Sequence, residues 1–308
     1  EHTQLRLDQY LHQMHPAYSR TQCKKAIESS QVQVNSAVVT RAKQRVMLGD
    51  IICFEPQSNI DLTQWCPTSM PLNILFEDEH ICVINKPANL VMHPGAGIHT
   101  HTLANALLAK DPNTQQLPRA GIIHRLDKNT SGCCITVRSL PAYQHLIAQM
   151  EAREIHRHYT ALVHGQIQLP NTIDAPIGRD PKRRTAMAIV ATGRHARTHY
   201  TPITRYPKHT HLNIQLETGR THQIRVHMKH IKHPIVGDST YTTYRSPPTT
   251  YPDSAQQALA NYPYQALHAY RIEFEHPITQ ALLCFEAPLP KLFQTLLDTL
   301  SPIENQDF

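Results

Sequence analysis

Residues 121–139 read GIIHRLDKNTSGCCITVRS, so two apolar runs lie on either side of a polar loop. The runs at 121–123 and 133–137 predict two strands, and the loop between them holds Asp127 between two cations. A polar loop held by rigid strands is a common position for a functional site. A carboxylate in such a loop can also cap a turn or pair with its neighbours. The stretch alone therefore predicts sheet structure and leaves the role of Asp127 open.

Outward from this stretch, the chain from residue 72 onward is rich in strand patterns. Strands are predicted within NILFEDEHICVINKP, HRHYTALVHG, ARTHYTPITRY, HTHLNIQLE and QALHAYRIEFEHP. Helices are predicted within HTLANALLAK, SLPAYQHLIAQMEAR, TGRTHQIRVHMKHI and LPKLFQTLLDTLS. Strands dominate and alternate irregularly with helices, which predicts an α+β domain with a mostly antiparallel mixed sheet and flanking helices.

The first residues predict a separate small unit. Apolar residues at helical spacing, a second helix that ends near Ile27, and the alternating QVQVN indicate two helices and a hairpin. Residues 56–71 show no sustained period and predict a linker. We therefore expect an N-terminal α/β unit at 1–55, a linker at 56–71 and a larger domain at 72–308.

Composition narrows the classes of function. The formal net charge of +6 and the pI near 8.9 fit a polyanionic partner, although many basic enzymes share them. The 22 histidines show no metal-ligand spacing, and the seven cysteines include no CxxC pair, which favours reduced thiols in a cytoplasmic protein. The polar first residues and the lack of a membrane-length apolar run predict a soluble intracellular protein without a membrane partner.

Three further stretches place aromatic or basic side chains where nucleic acid could bind. Tyr159 begins a predicted strand, where it either packs in the core or stacks on a base. Thr221 is the predicted N-cap of a helix on which Arg225 lies beside an apolar stripe. A partly buried arginine needs a carboxylate or phosphate partner, whereas an ordinary solvated helix face needs none. The basic loop GRDPKRRT is either a solubilising surface or part of an RNA-binding track.

These stretches share one order along the chain. They are LNILFEDEHICVINKPANLVMHPGAG, HRLDKNTSG, HRHYTALVHG, ETGRTHQIRVHMKHIKHPIVGD and LHAYRIEFEHP. In that order they resemble the pseudouridine synthases that modify ribosomal and transfer RNA, whose motif reads HRLDxxTSG. The N-terminal unit resembles the S-four-like RNA-binding domain. The combination is most similar to the D type of this family, whose members act on large-subunit ribosomal RNA.

The resemblance implies an isomerase that detaches the uracil of a uridine, turns it over and rejoins it through carbon. It implies no metal and no cofactor. Asp127 would be the catalytic carboxylate, Tyr159 would pack against a flipped base and help to remove a proton, and Arg225 would pair with Asp127. Attack on the base and glycal formation at the sugar are both open as mechanisms. The RNA-binding residues would be Arg125, which fills the space left by the base, and Arg220, Arg20, Lys24, Lys25, Arg183 and Arg184.

The resemblance also sets limits. Asn129 and the stretch STYTT (residues 239–243) depart from close relatives, which leaves target choice open. The expected partner is large-subunit ribosomal RNA, at a subunit-interface stem-loop, either free or in a precursor ribosomal particle, and we expect a monomer. An RNA-binding assembly factor is the main alternative, which the intact Asp127, Tyr159 and Arg225 disfavour. A glycoside hydrolase would need a second carboxylate in an equally distinct motif.

Overall fold

The structure is a computed structural model that describes residues 5–15, 18, 20–54, 65–95, 97–183, 185–242 and 246–301. The helices in the described part are α1 (Leu7–Met14), α2 (Arg20–Glu28), α3 (Leu103–Lys110), α4 (Leu140–Ala152), α5 (Gln223–His230), α6 (Asp253–Ala260) and α7 (Lys291–Thr299). The strands are β1 (Val32–Val34), β2 (Ala37–Val38), β3 (Ile52–Phe54), β4 (Ile74–Glu77), β5 (Ile81–Lys86), β6 (Ser131–Val137), β7 (His156–His164), β8 (Asn171–Asp174), β9 (Ile177–Arg179), β10 (Met187–Ile189), β11 (Arg197–Arg205), β12 (His209–Leu216), β13 (Leu267–Glu275) and β14 (Leu282–Glu286).

One large sheet dominates the chain after the N-terminal unit. Its nine described strands have the order β4-β5-β6-β13-β7-β12-β11-β8, and β14 pairs with β13 outside that path. Among the described strand pairs of this sheet only β6 and β13 run parallel, and all the others are antiparallel. The predicted α+β class with a mostly antiparallel mixed sheet is confirmed.

Both faces of the sheet centre are covered, which explains why β6 is buried along its whole length. Successive side chains of a strand point to opposite faces. Cys134 accordingly packs in one apolar cluster with Leu103 of α3 and Phe293 of α7. Ile135 packs in a second cluster with Leu146 of α4. The apolar run after the opening loop is therefore fully buried sheet rather than half-exposed strand.

β6 and β13 approach each other closely at Gly132. This glycine has a φ of +114°, and a Cβ atom added to it would lie 2.1 Å from the carbonyl oxygen of Ala269. No other residue fits at this contact without moving the backbone. The glycine of the TSG sequence in the opening stretch thus fixes the point at which the polar loop joins the sheet.

The predicted strand at 121–123 is wrong. Arg119 and Ala120 have φ values of 54° and 53°, and Gly121 completes a left-handed turn with a φ of 78°. Only Ile122 bridges the neighbouring strand, at Thr136. Three apolar letters indicate burial, but they do not distinguish a strand from an apolar turn packed against a strand.

The N-terminal unit has its own small sheet and core. Its strands have the order β2-β1-β3, all antiparallel. Its core contains Leu7, Leu11, Ile27 and Val32. The two helices and the hairpin predicted here are present, whereas the boundaries at 55 and 71 stay predictions. Residues 55–64, which include most of the predicted linker, lie outside the described part, and Trp65 packs against the core of the large sheet.

Candidate active site

The polar loop is held at its start by two inward side chains. His124 Nε2 accepts a hydrogen bond from the backbone N–H of Ile135 at 2.8 Å. Burial, with the nearby charge of Arg157, lowers the pKa of His124 to about 3, so the ring is neutral. Leu126 packs in the main core. Because His124 and Leu126 point inward, the residues that alternate with them, Arg125 and Asp127, point outward.

The end of the loop is held as firmly. The N–H of Thr130 donates to the carbonyl oxygen of Asp127 at 3.1 Å, and Gln265 Nε2 donates to Thr130 Oγ1 at 2.8 Å. The buried ammonium of Lys86 donates to the carbonyl oxygens of Lys128 at 3.1 Å and Leu90 at 2.9 Å. Burial lowers the pKa of Lys86 to about 8, which leaves it mostly charged at neutral pH. Asp127 therefore sits on a rigid loop.

Arg225 contacts two carboxylates. Its Nη1 donates to Asp127 Oδ2 at 2.8 Å, while its Nε and Nη2 donate to Asp238 Oδ2 and Oδ1 at 2.7 and 3.0 Å. Burial alone would lower the pKa of Arg225, but its hydrogen bonds and charge interactions with Asp238 and Asp127 raise it above its ordinary value. The side chain of Asp127 is 15% exposed and that of Asp238 is 0% exposed, so only Asp127 can meet a ligand.

Asp238 was not predicted to have a role. It ends the quoted stretch HPIVGD, and nothing in its neighbours indicates a partner on α5. Its carboxylate also accepts the backbone N–H groups of Thr240 and Tyr241 at 3.0 and 3.2 Å. The pair of Asp238 and Arg225 therefore ties the turn after VGD to the helix that carries the arginine.

An aromatic pair packs beside Arg225. The ring of Tyr241 lies 4.9 Å from Arg225 Cζ, a cation–π contact. The Tyr241 hydroxyl lies 2.7 Å from His222 Nδ1 and accepts the N–H of Met187 at 2.8 Å. His222 Nε2 lies 3.9 Å from Asp127 Oδ1. Burial is the main reason that the pKa of His222 is lowered, so its ring faces Asp127 as a neutral group.

The predicted N-cap of α5 at Thr221 is wrong. The N-cap position is His222, which has a φ of 57° and makes no capping hydrogen bond with its side chain. The turn is held instead by Gln223, whose Oε1 accepts from Thr218 Oγ1 at 2.8 Å and from the N–H of Arg220 at 2.9 Å. A glutamine inside the first turn is not a typical capping signal, so no pattern in the sequence indicated this arrangement.

Tyr159 and Asp127 line one cavity of about 240 Å³. Tyr159 comes from β7 and is 5% exposed. Burial raises its pKa to about 12, so it presents a ring and a neutral hydroxyl rather than a phenolate. Asp127 is the one acidic residue among the described residues that line this cavity. Five arginines also line it: Arg119, Arg125, Arg157, Arg220 and Arg225.

The predicted RNA-binding residues fall into different settings. Arg125 is exposed and makes no hydrogen bond or ion pair with the described residues, and it lines the cavity. Arg220 also lines the cavity, and its Nε donates to the carbonyl oxygen of His195 at 2.9 Å. Arg183 lies on the surface and donates to the carbonyl oxygen of Thr240 at 2.8 Å. Arg184 lies outside the described residues.

The predicted contacts on α2 also differ from one another. Arg20 Nε donates to the buried carboxylate of Asp8 at 2.9 Å, so it has a structural partner. Lys24 lies 3.6 Å from Glu28 in an exposed pair. Lys25 is exposed and makes no hydrogen bond or ion pair with the described residues. Of the three, Lys25 is the side chain most available to a ligand.

Within the described ranges, no group of three or more His, Cys, Asp or Glu side chains could hold a metal ion. No helix in the same ranges is both long enough and apolar enough to cross a membrane.

Comparison with known families matches both parts of the chain. Residues 80–230 match the family described as RNA pseudouridylate synthase. Residues 5–52 match the S4 domain.

Two relatives show how far the likeness extends. The chain is 43% identical over 295 residues to a protein of Haemophilus ducreyi, which covers 96% of this chain and 90% of that protein. It is 44% identical over 296 residues to a protein of Pseudomonas aeruginosa, which covers 96% of this chain and 92% of that protein. Both relatives are named "Ribosomal large subunit pseudouridine synthase D".

Among solved structures, the fold resembles that of "Human RNA Pseudouridylate Synthase Domain Containing 1". The TM-score is 0.57 at 23% sequence identity, and the match covers 76% of this chain and 89% of the human chain. At this identity the likeness concerns the fold.

Proposed function

The chain belongs to the RNA pseudouridylate synthase family, and from that premise we propose that it converts uridines of large-subunit ribosomal RNA into pseudouridine, with Asp127 as its catalytic group. The names of the relatives from Haemophilus ducreyi and Pseudomonas aeruginosa support the ribosomal substrate. The observation that supports Asp127 most directly is its 2.8 Å contact with Arg225 in a cavity where the other lining charges are cationic.

The chemistry fits a single carboxylate. Pseudouridine formation breaks the bond between ribose C1′ and uracil N1 and makes a bond between C1′ and uracil C5. A proton leaves C5 and a proton arrives at N1, so atoms and electrons balance within one nucleotide. A carboxylate that adds to the nucleotide and a carboxylate that takes a proton from the sugar to give a glycal must both be ionised. Arg225 supplies the countercharge in either mechanism.

Access to the cavity requires that the uridine leave its stack. Enzymes that act on a base in structured nucleic acid flip the target nucleotide into a pocket. Arg125 is exposed beside Asp127 and makes no contact that would hold it elsewhere among the described residues. In our proposal Arg125 occupies the space that the base leaves.

Tyr159 then packs against the flipped base. Its ring forms one wall of the cavity, and its hydroxyl is neutral because burial raises its pKa to about 12. A neutral phenol is a poor base. In our proposal the hydroxyl therefore relays a proton in one concerted step, accepting one proton as it donates its own, without first forming a phenolate.

The partners follow from the same proposal. The N-terminal unit, which matches the S4 domain, binds RNA, and the target is a stem-loop at the subunit interface. The substrate is either free RNA or a precursor ribosomal particle, so the protein works in the cytoplasm. The predicted monomer stays a prediction that light scattering of the purified protein would check.

The test is a map of pseudouridine in large-subunit ribosomal RNA from cells with and without this protein. We expect specific uridines to lose their modification without the protein and to regain it when the wild-type chain is restored. Purified protein should modify the same uridines in protein-free RNA or in isolated precursor particles, which separates the two substrates. An unchanged map together with inactive purified protein would contradict the proposal.

A further inference from the structure

Arg157 is a buried cation outside the network that joins Asp127, Arg225 and Asp238. It is 9% exposed and makes no ion pair or side-chain hydrogen bond with the described residues. Its Nε is shut off from solvent and has no hydrogen-bond partner among them. Nevertheless the residue lines the cavity that contains Asp127 and Tyr159.

The strand sets the direction of this side chain. Arg157 and Tyr159 are two residues apart on β7, so they point to the same face of the sheet. Arg157 pairs in register with Leu216 at the end of β12, next to the turn that leads into α5. The guanidinium therefore lies at the side of the cavity that this turn closes.

The turn leaves room for the guanidinium. A Cβ atom added to Gly219 would lie 2.6 Å from Arg157 Nη1, which is closer than any real Cβ contact. Gly219 has no positive φ that would require glycine at this position. The backbone at Gly219 thus passes close to the tip of Arg157, and the missing side chain leaves room for the guanidinium where it lies.

An unpaired guanidinium in this position is costly. Removing a charge from water without a partner disfavours the folded state, and the penalty is offset only by an opposite charge and satisfied hydrogen bonds. The one carboxylate among the described residues that line the cavity, Asp127, already accepts from Arg225. The remaining lining charges are arginines, which repel Arg157. An anionic group of the ligand would supply the missing counter-ion.

We propose that Arg157 binds the phosphodiester that flanks the target uridine and so fixes the ribose against Asp127. This inference rests on the proposed function. Uracil is neutral, so the anion that an RNA substrate brings into the cavity is its phosphate. A guanidinium binds phosphate through two parallel hydrogen bonds, which orients the bound group as well as attracting it. Arg157 is thus a substrate-positioning residue, distinct from the pair of Asp127 and Arg225.

The experiment replaces one phosphate at a time with a neutral methylphosphonate. Stem-loop RNAs carry the methylphosphonate either 5′ or 3′ of the target uridine. The nucleotide on the 5′ side of the methylphosphonate has a 2′-deoxyribose. Each reference RNA carries the same deoxyribose and an ordinary phosphate. Affinity and single-turnover rate are measured for wild type, Arg157→Gln and Arg157→Lys. The control is Arg205→Gln. Arg205 lies at the opposite end of the sheet, where its side chain binds Gln168.

On the reference RNA we expect Arg157→Gln to lower the ratio of single-turnover rate to dissociation constant by at least about 30-fold. A loss of this size is usual when one partner of a buried charge pair is removed. One of the two methylphosphonates should slow wild type and Arg205→Gln by a similar factor. The same replacement should have little further effect on Arg157→Gln. Arg157→Lys should fall between them, because it keeps the charge and loses the paired geometry.

Equal losses in wild type and Arg157→Gln at both phosphates would overturn the proposal. If Arg157→Gln does not fold, as judged by its melting temperature, Arg157→Lys and Gly219→Ala replace it. The alanine displaces the guanidinium without removing it, so it should also reduce the sensitivity to the methylphosphonate, and an unchanged sensitivity in both variants would overturn the proposal as well. Failure of wild type to modify any unaltered RNA would instead refute the proposed function.

Discussion

Arg225 lies between two carboxylates, the accessible one of Asp127 and the buried one of Asp238. The contacts of Asp238 orient Arg225, and Arg225 in turn holds Asp127. Its contact with Asp127 uses one nitrogen, whereas Asp238 takes two and also accepts two backbone N–H groups. The larger part of the network therefore lies behind Arg225, away from the cavity. We therefore infer that Asp238 would act on the reaction through Arg225.

Asp238→Asn should therefore reduce turnover more than affinity. The amide keeps the shape but loses the charge that orients Arg225, and a small displacement of a positioned group costs about 100-fold in rate. The measurement is kcat and KM for the variant against Asp253→Asn, the same change at an exposed position on α6. An Asp238→Asn variant with normal kcat would show that Asp238 only stabilises the fold.

Tyr159→Phe should fold, bind RNA and react slowly. The ring that lines the cavity stays, and only the hydroxyl is lost. Because burial raises the pKa of Tyr159 to about 12, the hydroxyl stays protonated at pH 6 to 9, and the ratio of wild-type to variant rate should be constant there. The measurement is the single-turnover rate across that range. A ratio that rises with pH through this range would show that a phenolate takes part.

Among the secondary-structure elements, the long strand patterns were all predictable, whereas several of the short strands were not. Strands of six to nine residues such as β5, β7, β12 and β13 repeat their apolar pattern often enough to be identified. The sequence did not predict β8, β9, β10, β14 or α6. The first four have only three to five residues, too few to show a period.

The candidate site was predictable to a similar degree. The position of Arg225 beside an apolar stripe indicated that it needs an anionic partner, and it contacts Asp127 and Asp238. Nothing in the sequence indicated Asp238, because a pairing between a helix and a later turn leaves no periodic signal. Arg157 was not identified either, since a strand residue shows its lack of a partner only when its neighbours are known.

Helix α2 carries two cations in different settings. Arg20 has a structural partner in Asp8, whereas Lys25 is exposed and available to a ligand. Burial alone would raise the pKa of Asp8, but hydrogen bonds from Arg6 and Arg20 hold it below its usual value. A lowered carboxyl pKa stabilises the fold above the unfolded pKa of about 3.9, and the stabilisation disappears as pH falls through the folded pKa. The N-terminal unit should therefore lose stability below about pH 4.

Arg20→Gln should lower the free energy of unfolding of the N-terminal unit at pH 7 by about 1 kcal/mol. The variant should also lose less stability than wild type as the pH falls into the acid range. Lys25→Gln should leave stability unchanged and weaken RNA binding. Urea unfolding at pH 7 and pH 4 and RNA affinity, measured for both variants, would distinguish the roles. Equal stability of the two variants would contradict the structural role of Arg20.

In our proposal the N-terminal unit adds RNA contacts of its own, whereas the chemistry takes place on the larger sheet. Lys24 and Lys25 of α2, with Arg41, Lys43 and Arg45 after the hairpin, belong to the unit that matches the S4 domain. Phosphate contacts position RNA without reading its sequence. Neutralising these cations should weaken binding and reduce its salt dependence by roughly one slope unit per lost phosphate contact.

The rate on bound RNA should survive that neutralisation, because Asp127, Arg225 and Asp238 are unaltered. The measurement compares RNA affinity across salt concentrations with the single-turnover rate at saturating enzyme. Unchanged affinity and salt slope would show that the N-terminal unit does not bind RNA. Unchanged affinity with a collapsed rate would place this unit in the active site.

The single-turnover activity of Asp127→Asn, on a stem-loop RNA that the wild type modifies, decides whether this carboxylate carries the reaction. Asparagine keeps the shape and the contact distance to Arg225 but cannot act as a nucleophile or a base. We predict no pseudouridine beyond a trace, with RNA affinity and melting temperature close to those of wild type and of Asp253→Asn. Pseudouridine formed at a substantial rate by the purified variant, with mass spectrometry showing that the introduced asparagine has not reverted to aspartate, would contradict the central role of Asp127.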